Sequence, residues 1–207
     1  MQTKEQKSNA VVDSRAVVFI DVLGFASLTE QYTLELEQIK VADRPLSVES
    51  LNMILMRREN PLTQVFTAFH RSLEAVIDLA KMKHLVTAVT FSDSAFIATA
   101  HLYDAASIAI QLMHYLLPQR VPVRIGIGYG SFSALRFRSD VTVEGGDHAA
   151  HFLGTGVVRS NAAESCGIKG LRILLHPSAI QHLGEQTKNP SKSSKESIRF
   201  IQCSTDE

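Results

Sequence analysis

Glycine occupies every second position in the second half of one strand-like segment, residues 122–129 with the sequence PVRIGIGY, which runs on into Gly130. The β-branched and apolar residues of the segment predict a strand. Because the side chains of a strand alternate between its two faces, Gly126, Gly128 and Gly130 leave one face as bare backbone. The chain therefore has to be built around a sheet that contains this strand.

Hydrophobic patterns along the rest of the chain supply the other elements of that sheet. Apolar runs of strand length predict strands at 16–21, 86–91, 95–99, 171–175 and 198–202. Apolar residues at spacings of three and four predict helices at 61–80, 103–117 and 152–165, the first of them capped by Asn60. We expect one α+β domain with a central, mostly antiparallel sheet and helices on one face.

The domain organisation follows from the polar segments of the chain. Residues 1–14 form a polar leader, and residues 15–207 form a single domain. Within it, the charged and mixed stretch 33–59 is predicted to be an insertion or lid. The Lys, Ser and Asn-rich stretch 185–196 is predicted to be a mobile loop.

The charge balance and the cysteines limit the possible partners. The 207 residues contain 21 Lys and Arg and 21 Asp and Glu, so there is no overall positive charge to hold nucleic acid or a membrane surface. No apolar run is long enough to span a bilayer, and the start of the chain is too polar for a signal peptide. We expect a cytoplasmic protein in which Cys166 and Cys203, which lack metal-ligand spacing, are free thiols.

Two carboxylates carry the strongest chemical signal in the sequence. Asp21 ends the first predicted strand, and Asp93 lies in the tight turn of the predicted 86–99 hairpin. Placed at one sheet edge, two such acids repel each other unless a cation lies between them, and Mg²⁺ is commonly held by two carboxylates plus substrate phosphates. Gly24 would let backbone N–H groups approach a phosphate. The alternative is that both acids serve only as turn and cap residues.

Four segments in order carry a resemblance to a known family: FIDVLGF (19–25), FSDS (91–94), VRIGIGYG (123–130) and FLGTGVVRSNAAES (152–165). The chain resembles the catalytic domains of class III nucleotide cyclases from residue 16 to 177. Its opening motif and compact length look most like the pyrimidine cyclases of bacterial Pycsar anti-phage systems. The resemblance implies a ferredoxin-like βαββαβ core.

The resemblance also implies roles for individual residues. Asp21, Asp93 and the carbonyl of Val22 match the family's metal ligands, which implies two Mg²⁺ or Mn²⁺ ions per site. Gly24 and Phe25 would lie at the nucleoside triphosphate. The family pairs two protomers head to tail, so a homodimer with sites at its interface is implied.

Two departures from the family pattern concern the base of the nucleotide. Val89 stands where purine cyclases have a Lys, and His151 stands where they have an Asp or Thr. A purine would lose both polar partners, which favours a pyrimidine. The resemblance favours UTP over CTP, and it implies that the cyclic product is a second messenger sensed by a separate effector protein.

A third departure concerns catalysis. The family's Asn and Arg, on the helix after Gly154, are replaced by Val158 and Ala162, with Arg159 and Asn161 one residue away. Other cations that could stabilise the transition state are Arg124 and the pair Arg136 and Arg138, which could clamp the triphosphate. The alternatives are a purine cyclase with an unusual base pocket and an inactive cyclase-homology domain that acts as a regulatory dimer.

Overall fold

A computed structural model describes residues 13–32, 60–138 and 148–188, with side chains for all of these except 135–138, 148–151 and 185–188. The predicted insertion at 33–59, the predicted edge strand at 198–202, Cys203, and residues 189–196 of the predicted loop lie outside the described residues. Cys166 is an exposed free thiol. None of the helices in the described part combines the length and the apolar character needed to cross a membrane.

The described residues form one α+β domain of six strands and five helices. The strands are β1 (Asp13–Val22), β2 (Val86–Thr90), β3 (Ser94–Thr99), β4 (Val123–Arg138), β5 (His148–Leu153) and β6 (Arg172–Leu175). The helices are α1 (Phe25–Gln31), α2 (Pro61–Lys81), α3 (Leu102–Leu116), α4 (Thr155–Glu164) and α5 (Pro177–Lys188). The predicted α+β class is confirmed.

The six strands form a single mixed sheet. Five of them lie in the order β2-β3-β1-β4-β5, and β6 pairs with β4 outside that path. All the neighbouring strands are antiparallel except β4 and β6, which are parallel. The sheet is therefore mostly antiparallel, as predicted.

Helix α2 begins where its capping residue predicts. The side-chain Oδ1 of Asn60 accepts hydrogen bonds from the backbone N–H groups of Leu62, at 2.9 Å, and Thr63, at 3.4 Å. Pro61 occupies the first helical position, where its missing N–H costs nothing. Two of the otherwise unpaired N–H groups of the first turn are thus satisfied.

The back face of the sheet is covered by α2, α3 and α5. Val18 and Ile20 of β1 point to this face and are fully buried. They pack in one apolar cluster with Phe69 of α2, Leu112 of α3 and Ala179 of α5. This is the layer of helices on one face that the sequence predicts, and it contains most of the core.

The front face carries Phe19 and Asp21 of β1, and α4 is the one helix of the described residues that packs there against β4. Gly126, Gly128 and Gly130 of β4, the glycine stripe, form the surface on which α4 lies. A Cβ at Gly126 would come within 2.1 Å of the Ser160 carbonyl oxygen, a distance that real Cβ atoms do not show. The backbones of α4 and β4 are therefore in direct contact. Helix α4 lies on the face of the sheet opposite to the layer of α2, α3 and α5.

Four predicted boundaries differ from the structure by more than one residue. β1 already begins at Asp13, inside the predicted leader, and α5 continues to Lys188, into the predicted loop. β4 runs on to Arg138, and its far half pairs with β5. Phe152 and Leu153, predicted as the start of a helix, belong to β5, and α4 begins only after Gly154. These two residues are held in the sheet by Ala134 and Ser133 of β4, a pairing that a local pattern does not reveal.

Candidate functional site

Asp21 and Asp93 lie side by side at one edge of the sheet. Asp21 pairs directly with Ser94, the residue that follows Asp93. The backbone N–H of Val22 donates to the carbonyl oxygen of Asp93 at 2.9 Å. The end of β1 is thus tied to the turn between β2 and β3, and this turn carries the second acid.

The turn that carries Asp93 is held from two sides. Within the turn, Phe91 N–H donates to the Ser94 carbonyl at 2.8 Å, and the Ser92 hydroxyl donates to Asp93 Oδ1 at 3.2 Å. From α2, Nε2 of His70 lies 3.1 Å from the Ser92 carbonyl oxygen. A helix of the back face therefore helps to hold the position of an acid at the sheet edge.

Arg124 of β4 lies directly opposite Asp21 and forms an ion pair with it. Arg124 Nη2 donates to Asp21 Oδ2 at 2.8 Å. Both side chains keep partial access to solvent, with 22% of Asp21 and 30% of Arg124 exposed. The hydrogen bond with Asp21 raises the pKa of Arg124 further above its usual value. Arg124 is therefore a permanent positive charge at Asp21.

A second carboxylate, Glu164 at the end of α4, contacts the same guanidinium. Arg124 Nε lies 2.5 Å from Glu164 Oε1, in an ion pair rather than an aligned hydrogen bond. The Glu164 side chain is only 5% exposed, and burial raises its pKa while the charge of Arg124 opposes that shift. Arg124 thus forms ion pairs with both the partly exposed Asp21 and the buried Glu164.

Arg172 of β6 fixes the end of α4 that carries Glu164. Its Nη2 donates to the Glu164 carbonyl oxygen at 2.9 Å, and its Nη1 donates to the Gly170 carbonyl at the same distance. Arg172 is also next to Arg124 in the sheet, because the two residues pair across β4 and β6. Glu164 and Arg172 are the site residues that sequence reasoning missed.

An aromatic patch on the front face adjoins the acids. The rings of Phe19 and Phe96 stack at 4.4 Å, Phe152 lies 4.8 Å from Phe96, and Phe91 lies 5.9 Å from Phe152. Phe91 is 43% exposed. Val89 shares the row, since Val89 pairs with Phe96 and Phe96 with Phe19. A ligand at Asp21 and Asp93 would have an apolar wall beside it.

Gly24 and Phe25 follow the end of β1. Gly24 adopts a left-handed backbone, with φ of 77°, and precedes the first residue of α1. Its carbonyl accepts from Leu28 N–H at 3.0 Å. The Phe25 side chain packs against the core of the back face. Gly24 therefore follows Asp21 closely in the sequence, whereas the Phe25 ring contacts the core of the back face.

Arg159 and Asn161 are not brought to Asp21 within the chain. Helix α4 runs antiparallel to β4, with Thr155 near Gly130 and Glu164 near Gly126. The Arg159 side chain points back toward the start of the helix, where its Nη1 donates to the Tyr129 carbonyl at 2.8 Å. Asn161 lies on the exposed side of α4.

Arg136, Arg138 and His151 lie in the arm formed by β4 and β5. Arg136 pairs with Ala150, Arg138 with His148, and His151 with Leu135. Their side chains lie outside the described residues. The ring of Phe152, the residue after His151, lies 5.9 Å from the ring of Phe91, so this part of the arm lies beside the aromatic patch.

Comparison with known proteins gives a fold but no sequence family. No protein-family model and no curated protein matches the chain. Three similar solved structures have TM-scores of 0.53 or 0.54. The guanylate cyclase domain of RhGC from Catenaria anguillulae in complex with GTP has a TM-score of 0.54 at 15% identity, over 83% of this chain and 82% of that one.

The other two structures extend the range of related domains. A non-canonical dimeric guanylyl cyclase domain of the RhoGC fusion protein from Blastocladiella emersonii has a TM-score of 0.54 at 14% identity, over 84% of each chain. A class III adenylyl cyclase-like ATP-binding protein from Pseudomonas aeruginosa has a TM-score of 0.53 at 12% identity, over 82% of this chain and 34% of that one. The chain therefore has a class III cyclase-like fold.

Proposed function

We propose that the chain is a divalent-cation-dependent nucleotidyl cyclase that converts UTP, and CTP less well, to the 3′,5′-cyclic monophosphate and pyrophosphate. One observation carries the proposal: Asp21 and Asp93 lie side by side at the front-face edge of a class III cyclase-like fold. Cyclisation needs compensation of charge where the triphosphate is attacked, and two carboxylates that hold a cation there would supply it.

The donor set at the two acids fits Mg²⁺ or Mn²⁺. In the part of the chain that the structure describes, no group of three or more His, Cys, Asp or Glu side chains is arranged for a metal ion. A cation beside Asp21 and Asp93 would therefore take its other ligands from the Val22 carbonyl, water and phosphate oxygens, as Mg²⁺ and Mn²⁺ do. If bound there, two such ions per site would lower the pKa of the ribose 3′-hydroxyl and offset the charge of the triphosphate.

The residues of the chain itself would act by binding and orientation. Asp21 and Asp93 place negative charge at one edge, and Arg124 adds a guanidinium that can bind a phosphate. The rings of the aromatic patch would keep water from the side of the nucleotide. In-line attack of the 3′-oxygen on the α-phosphorus then requires that the two reacting atoms be held together. It requires little covalent catalysis by the protein.

The choice of a pyrimidine rests on Val89 and His151. Val89 is half-buried and lies in the same row of the front face as Phe96 and Phe19. An apolar side chain at this point offers a base no hydrogen-bond partner, which penalises a purine more than a smaller ring with fewer polar edge atoms. The His151 imidazole can donate to uracil O4 or accept from cytosine N4, depending on its tautomer. The preference for UTP and the role of the product in anti-phage signalling follow from the family resemblance and remain predictions.

A homodimer would complete the site. Arg159 and Asn161 do not reach Asp21 within one chain, since Arg159 binds the Tyr129 carbonyl and Asn161 lies on the exposed side of α4. The front surface also exposes apolar side chains, including 69% of Val158 on α4. Two copies paired through their front faces would bury these side chains and bring polar groups of one copy to the acids of the other.

A nucleotide-binding domain without cyclase activity is the second candidate. The observation that favours it is the Arg124–Asp21 ion pair, since Arg124 already neutralises one of the two acids. The Pseudomonas aeruginosa protein of the same fold is described as ATP-binding and cyclase-like. A purine cyclase is the third possibility, because the RhGC domain was solved with GTP.

One assay separates these functions. The purified protein is incubated with Mn²⁺ and each of the four nucleoside triphosphates separately, and the products are resolved by mass spectrometry. Formation of cUMP or cCMP supports the proposal. Formation of cAMP or cGMP alone identifies a purine cyclase. Nucleotide binding without any cyclic product identifies the non-catalytic domain.

A further inference from the structure

The two carboxylates that share Arg124 differ in their exposure to solvent. Asp21 ends β1 at the sheet edge and is 22% exposed, whereas Glu164 is 5% exposed. The guanidinium uses different atoms for the two, Nη2 for Asp21 and Nε for Glu164. Arg124 can therefore leave Asp21 without leaving Glu164.

Glu164 itself is fixed by its surroundings. Because residue 126 is glycine, the backbone of α4 lies directly on β4, and a Cβ there would come within 2.6 Å of the Glu164 backbone nitrogen. Arg172 binds the Glu164 carbonyl oxygen from β6 at 2.9 Å. If Arg124 moved away, the buried carboxylate would lose its ion pair, at a large cost in free energy.

We propose that Arg124 is a tethered counter-charge, which pairs with Asp21 in the free protein and turns to the substrate phosphates when a cation takes Asp21, while Glu164 holds it from behind. Glu164 is then a positioning residue for Arg124. This inference rests on the proposed function, because the cation and the triphosphate belong to it. The cation and Arg124 then compete for one carboxylate, that of Asp21.

If the cation and Arg124 compete for Asp21, two variants of this network should change the affinity for the cation in opposite directions. Arg124→Gln removes the positive charge from Asp21, so a divalent cation should bind the free protein more tightly. Glu164→Gln removes the second partner of Arg124, so Arg124 pairs more fully with Asp21 and the cation should bind less tightly. If the network were only structural, both variants would disturb the site, and both would weaken binding.

The test is a titration of Mn²⁺ into the full-length protein without nucleotide, followed by the electron paramagnetic resonance signal of free Mn²⁺. For charges a few ångströms apart and partly screened by solvent, we expect Arg124→Gln to lower the Kd about fivefold and Glu164→Gln to raise it about threefold. Arg124→Lys keeps the charge and should restore a Kd near that of the wild type.

Arg15→Gln is the matched control. Arg15 is an arginine of β1 that forms an ion pair with Asp13 at 3.0 Å, at the end of the strand away from Asp21. Its loss removes the same charge from the same sheet and should leave the Kd for Mn²⁺ unchanged. Thermal unfolding of each variant shows whether the fold is retained.

The outcomes separate the inference from the proposed function. Tighter binding by Arg124→Gln together with weaker binding by Glu164→Gln supports the tethered counter-charge. Weaker or unchanged binding by Arg124→Gln overturns it, and if the wild type still forms a cyclic nucleotide, the proposed function stands. Absence of Mn²⁺ binding by both the wild type and Arg124→Gln, with no cyclic product, overturns both.

Discussion

Val18 and Ile20 of β1 are fully buried against the helices of the back face, whereas their sequence neighbours Phe19 and Asp21 lie on the front face. The back face is a continuous apolar core whose stability grows with the area buried. The front face has a smaller apolar cluster and a network of charges. One strand thus contributes to stability with one set of alternating residues and to the candidate site with the other.

This comparison predicts that the two faces respond differently to substitution. Changes at the front-face edge should alter activity and leave the fold intact, and changes in the back-face core should do the reverse. The glycine stripe under α4 is the intermediate case, because it belongs to the front face but makes close backbone contacts.

The largest effect is expected at the two acids. Asp21→Asn or Asp93→Asn removes one negative charge from the cation site, and we expect cyclase activity to fall about 1,000-fold or more. The thermal unfolding temperature should remain close to that of the wild type. Asp13→Asn, at the exposed start of the same strand, is the control and should keep full activity. Near-normal turnover by either site variant would remove the metal-site assignment.

A back-face substitution should give the opposite result. Leu112 of α3 is fully buried in the core, and Leu112→Ala should lower the free energy of unfolding by about 3 kcal/mol, measured by urea denaturation. Activity per folded molecule, measured at a temperature where the variant stays folded, should be unchanged. A selective loss of kcat in the folded variant would show that the two faces are not independent.

Gly126→Ala tests the intermediate region. The added methyl group would meet the backbone of α4, which cannot give way as a flexible side chain can, so we expect a loss of about 2 kcal/mol in unfolding free energy. Displacement of Glu164 should reduce activity as well. In the control, Gly184→Ala in α5, the new Cβ meets no atom within 4 Å. Equal effects of the two alanines would contradict the backbone contact between α4 and β4.

The elements that depend on local patterns could be predicted from the sequence. Helix α2 combines a capping asparagine with an apolar stripe, and the hairpin of β2 and β3 combines two apolar runs with a short polar turn. The juxtaposition of Asp21 and Asp93 follows from the same logic, because both acids end apolar runs that pair in one sheet. The boundaries at Phe152 and Leu153 were wrong because pairing with β4 overrides a local apolar pattern.

The charge network could not be predicted, because it depends on long-range packing. Arg124 and Glu164 are forty residues apart, and their contact requires the antiparallel course of α4 over Gly126. The glycine stripe indicated that something could approach the strand closely, but not which helix or in which direction. The direction of α4 also decides that Arg159 points toward Tyr129 and away from Asp21.

The smallest effect is expected at His176, which follows β6 and lies near Arg159 of the front-face helix α4. His176 precedes α5, and its Nδ1 accepts a hydrogen bond from Ser178 N–H at 3.1 Å, which only the neutral imidazole can do in this orientation. Burial, together with the nearby charge of Arg159 from α4, lowers the pKa of His176. Protonation would therefore weaken the cap of a back-face helix under the influence of a front-face arginine.

The sign of the pH effect follows from that shift. Because the pKa of His176 is lower in the folded protein than in the unfolded chain, its contribution to stability is complete above the unfolded value of about 6.5 and is lost progressively as the pH falls below it. Loss of a helix cap costs about 1 kcal/mol, so we expect the free energy of unfolding to fall by up to about this amount on acidification. Unfolding by urea at pH 7.5 and at pH 5 measures it. His176→Asn keeps a capping acceptor that does not titrate and should show a smaller loss on acidification, and Arg159→Gln should reduce the loss in part. A His176→Asn variant with the same pH dependence as the wild type would show that another group is responsible.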